Sequence, residues 1–218
     1  MPRVGSLYSP EAYGYTKVAL AQRGWDRVVA FCKLNSLTVP RLTVVPKSDW
    51  VVSACGYYRP DTELMRKWTN PGINICLEEC AFVAGENPSR NWNWPGSVTD
   101  REPYGVIAHE LGHHADWSTG GRKGKYYSEY CEDVMAIVKE KPLTSYAPNP
   151  AEWFAEMFRL FVTNPPLLAA LRPRTYNALI SRWKPLDVGA SWESILGVDV
   201  PARIVGNLRK KVGSQCPR

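Results

Sequence analysis

The spacing of apolar and polar positions in the first half of the chain predicts a long helix followed by a small sheet. A helical pattern of apolar residues covers 10–35, with Pro10 near its start. Three short runs rich in β-branched or apolar residues follow, and they predict strands at 41–45, 51–60 and 72–80. The polar segment between the second and third of these strands is expected to be partly helical.

The second half of the chain is predicted to be mainly helical. Thr99 and Glu102 have the spacing of a capping box, and the helix that they open is expected to run to about Trp117. A glycine-rich segment at 118–125 predicts a flexible loop, and 128–141 predicts a further helix. Shorter helices are expected after it, at 166–171, 174–183 and 202–212. Together with the N-terminal sheet, this pattern indicates the α+β fold class.

One helix of this half has clear signals at both ends and apolar residues around most of its circumference. Asn149 is its expected N-cap and Pro150 its first residue, while two prolines at 165–166 stop it. Its apolar stripes are Trp153, Met157 and Leu160 in one and Phe154, Phe158 and Phe161 in the other; the remaining stripe is Glu152, Glu156 and Arg159. Such a helix should be largely buried, so its carboxylates need a cation or hydrogen bonds to compensate them.

Length and composition narrow the class of protein. With 218 residues, 44% of them hydrophobic, the chain is suited to one domain with a substantial core. It contains no run of about 18 apolar residues, so neither a membrane-spanning helix nor a membrane partner is expected. The N-terminal residues lack the apolar region of a signal peptide.

The positive charge is concentrated at the C-terminus. The whole chain carries +6; residues 201–218 contain five basic residues and no acidic one, which leaves +1 for the other 200 residues. The plainer interpretation is a solvated helix end. The alternative is a weak contact with nucleic acid or with an assembly.

The six cysteines do not have the spacing of a structural zinc site, because no Cys-x-x-Cys pair occurs. A chain of this size does not need disulfides to fold. Cys76 and Cys80 can pair with each other, pair with Cys55, or remain thiols, and buried thiols are the default expectation.

All three histidines of the chain lie within the stretch GVIAHELGHHADW, residues 105–117. On a helix, His109 and His113 lie one turn apart on one face, where both can bind one metal ion. Glu110 lies beside them and can take a proton from the water that such a metal activates. Asp116 follows on the same face and is expected to hydrogen-bond a ligand imidazole. His114 points away from the pair and is expected to be a packing or surface residue.

The plain alternative is that two histidines share a helix without binding a metal. The absence of histidine elsewhere argues against it, and so does the apolar surrounding of the helix, where idle histidines are costly. A third ligand must then be a carboxylate or a thiolate. Glu152 is the candidate, but its spacing equally allows a solvated first-turn acid beside an ordinary Glu156–Arg159 pair.

HELGHHAD, followed after about thirty residues by SYAPNPAEWFAEMF, resembles the zinc metallopeptidases of the anthrax lethal factor type and their phage-encoded relatives. The resemblance covers about 55 residues of the chain. It implies a zinc ion held by His109, His113 and Glu152, with Glu110 as the general base. It also places Asp116 on an aspartate that follows the second histidine, and Glu156 on a carboxylate that supports the ligands.

The resemblance further implies that Tyr146 stabilises the oxyanion of the reaction. Its spacing to Glu152 is shorter by one residue than in the family, and other tyrosines are alternatives for this role: Tyr126, Tyr127 and Tyr130. In this family a strand beside the active-site helix pairs with an extended substrate, and 72–80 is the candidate for it. The alternative for 72–80 is a core strand that never contacts substrate.

The expected architecture is a zincin-like metallopeptidase domain at 1–190, with a small sheet packed on the active-site helix. Its parts are the N-terminal helix and strands at 1–98, the catalytic helices at 99–163 and a helical end at 164–190. A basic extension at 191–218 follows.

The function that this reading predicts is a zinc-dependent endopeptidase acting on a protein or peptide. A repressor-cleaving regulatory peptidase is one alternative. The other is a catalytically idle zincin-fold protein that is structural or binds nucleic acid, such as a phage particle component; the intact Glu110 argues against it. Without a signal peptide, the expected location is the cytoplasm, that of the host if the chain is phage-encoded, or a particle.

Overall fold

The computed structural model describes residues 15–52, 54–62, 70–77, 105–121, 125–129, 140 and 149–187. Within these ranges the α-helices are α1 (Tyr15–Leu34), α2 (Gly105–Gly120), α3 (Pro150–Thr163), α4 (Pro165–Leu171) and α5 (Pro173–Ile180). The strands are β1 (Leu42–Val44), β2 (Gly56–Arg59) and β3 (Gly72–Ile75), and short 3-10 turns lie at Lys47–Asp49 and Tyr127–Glu129. The mixed α and β content agrees with the predicted α+β class.

The sheet has the order β1-β3-β2, with β3 parallel to β1 and antiparallel to β2. All four residues of β3 are buried, as a central strand with both faces covered requires. The prediction that 72–80 pairs with substrate is therefore wrong for β3, because β1 and β2 already occupy both of its edges. Strand β2 lies at one edge of the described sheet and packs against α2.

The core is formed around α2, which packs against α1, α3 and the sheet. Phe31 of α1 meets Phe158 and Phe161 of α3 edge-on, at ring-centroid distances of 5.3 and 6.0 Å. Both predicted apolar stripes of α3 are buried, which confirms the sequence pattern. Helix α3 consequently has little freedom to shift, and the polar side chains on its third stripe are held in place with it.

The helix ends agree with the sequence where local signals are strong. The Asn149 side chain accepts a hydrogen bond from the backbone N–H of Glu152 at 3.0 Å, as an N-cap does, and Pro150 is the first residue of α3. Helix α2 instead continues through Gly120, so the loop predicted from residue 118 is wrong for residues 118–120. There the Thr119 hydroxyl donates to the carbonyl of Ala115 at 2.7 Å and supports one more turn.

Several expectations concern residues outside the described ranges. They are the capping box Thr99 and Glu102, residues 130–139 of the helix predicted at 128–141, Tyr146, the helix at 202–212 and the extension at 191–218. Among the described cysteines, Cys32, Cys55 and Cys76 form no disulfide, and burial raises the pKa of the Cys32 thiol to about 12. No described helix is both long enough and apolar enough to cross a membrane.

Candidate metal centre

The three predicted metal ligands converge on one point between α2 and α3. Nε2 of His109 lies 3.2 Å from one carboxylate oxygen of Glu152, and Nε2 of His113 lies 3.5 Å from the other. The three donor atoms all lie within 4.8 Å of one another. Two imidazole nitrogens and one carboxylate oxygen form the donor set that catalytic zinc sites use, so the residues present fit this metal.

A close crossing of the two helices brings these ligands together. A Cβ added to Gly112, between the two histidines, would lie only 2.7 Å from the Cα of Ala155. The α2 and α3 backbones can approach so closely because position 112 lacks a side chain. Glu152, in the first turn of α3, is consequently placed opposite the histidine face of α2.

Glu156 orients His109 by contacting Nδ1, the ring nitrogen that does not face Glu152. Its Oε1 lies 2.7 Å from Nδ1 of His109 and 3.7 Å from a guanidinium nitrogen of Arg159. The Glu156 side chain is only 1% exposed. Glu156 therefore makes the predicted ion pair with Arg159 and also contacts His109, a candidate metal ligand. With Nδ1 engaged by Glu156, His109 presents Nε2 to Glu152.

The cluster formed by the two histidines with Glu152 and Glu156 favours positive charge between its carboxylates. Burial by itself lowers the pKa of His109, but the hydrogen bonds to Glu152 and Glu156 and the negative charges of Glu156 and Glu110 outweigh burial and raise it to about 10. For Glu152, burial raises the pKa, and the two histidines override this and hold it well below its usual range. Charge of this kind at Nε2 is what a bound metal ion supplies in place of a proton.

Glu110 lies in the same cleft and is buried. Burial raises the pKa of its carboxyl group, although His109 and His113 act in the opposite direction and the backbone N–H of Tyr58 donates a hydrogen bond to it. The cleft has a volume of about 470 Å³. Its polar lining includes Glu129 and Asn149 as well as the ligands, and strand β2 forms part of its wall.

Asp116 has a different partner from the one predicted. Its carboxylate accepts hydrogen bonds from the backbone N–H of Ser128, at 2.8 Å, and from the Ser128 hydroxyl. It acts on His113 only through its charge, and Nδ1 of His113 has no hydrogen-bond partner within the described part of the chain. Burial raises the pKa of Asp116 to about 6. The hydrogen bond predicted from Asp116 to a ligand imidazole is thus made by Glu156 instead.

His114 lies apart from the ligands, as predicted. It is buried, and it contacts the carbonyl oxygen of Thr38 through Nε2 at 2.8 Å and the hydroxyl of Tyr58 through Nδ1 at 3.0 Å. Burial lowers the pKa of His114, because its partners carry no charge that would offset the loss of solvation.

The tyrosine assigned to the oxyanion, Tyr146, lies outside the described residues, but Tyr126 lies in the cleft. The Tyr126 ring is 5.1 Å from the ring of His113, and its backbone N–H donates to the Glu129 carboxylate at 2.6 Å. Burial raises the pKa of the Tyr126 phenol, which therefore keeps its proton. Tyr58 and Ser128 are site residues that the sequence reasoning missed, since neither belongs to a motif or to a periodic pattern.

Comparison with models of protein families, with curated proteins and with solved structures finds no match to this chain.

Proposed function

We propose that this chain is a zinc-dependent endopeptidase whose metal is held by His109, His113 and Glu152. The observation that carries the proposal is the convergence of these donor atoms within 4.8 Å of one another. The buried Glu110 carboxylate shares the cleft with them. A structural zinc site is usually closed by four protein ligands, whereas three ligands facing a cleft leave room for water and substrate.

When bound, zinc supplies a Lewis acid that polarises the scissile carbonyl group and makes water more acidic. Glu110 takes the proton from the attacking water and passes it to the leaving amine as the C–N bond breaks. Its carboxylate lines the same cleft as His109 and His113, where both transfers take place.

A phenol completes this proposal as a hydrogen-bond donor to the developing oxyanion. The resemblance assigns this role to Tyr146, while Tyr126 already lines the cleft beside His113. Replacing each tyrosine separately by phenylalanine decides between them. The tyrosine that acts on the oxyanion is the one whose loss lowers kcat while KM and zinc content stay the same.

The substrate is proposed to be a protein or peptide segment in extended form. Gly56, Tyr57 and Tyr58 of β2 line the cleft. An extended peptide laid beside an edge strand presents its carbonyl groups at regular intervals. The position of β2 makes it the better candidate for substrate contact than the central strand β3.

The test combines zinc analysis with cleavage of a mixed peptide library. We expect about one zinc per chain in the wild type and in Glu110→Gln. Cleavage by Glu110→Gln should fall by about a hundredfold or more, because only the proton transfer is lost. A Glu110→Gln variant that cleaves as fast as the wild type rules out this mechanism, and a wild type that takes up no added zinc rules out the metal.

A further inference from the structure

His114, the third histidine of the chain, makes hydrogen bonds that connect three parts of the fold. A carbonyl oxygen can only accept a hydrogen bond, so the Nε2–H of His114 donates a hydrogen bond to the carbonyl oxygen of Thr38. Nδ1 of the neutral ring is then an acceptor, and the Tyr58 hydroxyl, 3.0 Å away, donates to it. His114 thereby connects α2 both to the segment that precedes β1 and to β2.

Tyr58 contacts α2 twice, at positions one helical turn apart. Its hydroxyl donates to His114, and its backbone N–H donates to the Glu110 carboxylate. The Tyr58 and His114 rings also meet edge-on, with centroids 5.4 Å apart. One residue of β2 therefore contacts both the general base and the histidine four positions after it.

Strand β2 can lie this close to Glu110 because residue 56 is glycine. A Cβ added to Gly56 would lie 3.2 Å from Oε1 of Glu110 and 2.9 Å from a methyl carbon of Val106. The Glu110 carboxylate is thus held between the ligand histidines on its own helix and the backbone of β2. Its direction depends on where β2 lies.

We propose that Tyr58 is a positioning residue for Glu110, and that His114 acts on the same carboxylate through the Tyr58 hydroxyl. This inference rests on the proposed endopeptidase function. It assigns the third histidine to the orientation of the general base rather than to the metal. Removing the hydroxyl leaves the metal ligands untouched and lets β2 move relative to Glu110.

The experiment is a double-mutant cycle with Tyr58→Phe and His114→Gln, assayed on a fluorogenic peptide that the wild type cleaves in the library screen. We expect each single variant to keep its zinc and its KM, and to lose about ten- to a hundredfold in kcat. If His114 acts through the hydroxyl, the double variant should be no slower than Tyr58→Phe alone.

Tyr176→Phe is the matched control, because Tyr176 is partly buried against Phe161 and does not line the cleft. Unchanged kcat in Tyr58→Phe overturns the inference while the proposed function stands. Losses that simply multiply in the double variant overturn the part played by His114. Loss of zinc from Tyr58→Phe also contradicts the inference, since the phenol would then support the ligands. A wild type that binds zinc but cleaves no peptide removes both proposals.

Discussion

His109 and His114 are buried on the same helix, five residues apart, but their surroundings differ. His109 lies between two carboxylates, which raise its pKa to about 10. His114 lies between a carbonyl and a hydroxyl group, and burial lowers its pKa. The partners of each ring, rather than the residue type or its burial, decide whether positive charge is favoured at the ring or the ring stays neutral. The first environment suits a cation and the second a fixed hydrogen-bonded contact.

The largest expected effect comes from removing the carboxylate of Glu152, which contacts His109. Glu152→Ala should lower the zinc content from about one per chain to nearly none, because only two ligands remain. Elemental analysis of the purified protein measures it. Glu129→Ala removes a carboxylate that lines the same cleft outside the ligand cluster, and it should keep its zinc. His114→Gln should also keep its zinc; if it does not, the two histidines do not differ in the way that their surroundings indicate.

Metal removal should have the next largest effect. A ligand that binds only the folded state at a thousand times its Kd stabilises it by about 4 kcal/mol. For a chain of this size, an excess of chelator should therefore lower the Tm of the wild type by about 10 °C. The Tm of Glu152→Ala should not respond to chelator. An equal fall in both proteins would mean that the stabilising ion binds elsewhere.

Gly112→Ala tests whether the close approach of α2 and α3 forms the cluster. The new methyl group meets the Ala155 Cα, which no side-chain rotation can move away. We expect a destabilisation of about 1–3 kcal/mol, a Tm lower by about 2–10 °C and weaker zinc binding. Ser118→Ala, an exposed position on the same helix, is the control for both measurements. Unchanged zinc affinity in Gly112→Ala would show that the ligands tolerate a wider helix spacing.

The smallest effect is the pH dependence of the metal-free protein, where the two histidines should act in opposite directions. The pKa of His114 is lower in the folded protein than in the unfolded chain, which binds its proton near pH 6.5, so His114 lowers stability as the pH falls below about 6.5. His109 is protonated in the folded protein up to about pH 10, so its contribution is lost as the pH rises from 6.5 to 10. Thermal melts across this range measure both.

In these melts, the Tm of His114→Gln should fall less than that of the wild type as the pH drops below about 6.5. The alkaline side should be unchanged. The same acid-side loss in both proteins would mean that another group causes it.

Much of this site can be inferred from sequence because it follows from spacing along one helix at a time. The i and i+4 positions of His109 and His113 require a shared face, and the two apolar stripes of α3 require that both be buried. The N-cap at Asn149 is equally local, and the structure agrees with each of these features. Periodicity and capping depend on neighbours within one or two turns, which the sequence displays directly.

Tertiary structure alone decided which elements meet. The central position of β3, the Ser128 partner of Asp116 and the double contact of Tyr58 with α2 all join residues that are distant in sequence; Tyr58 and His114 are 56 residues apart. The spacing within β2 or α2 does not determine these pairings. They depend on how closely whole helices and strands pack, which here is set by contacts such as that of Gly112 with Ala155.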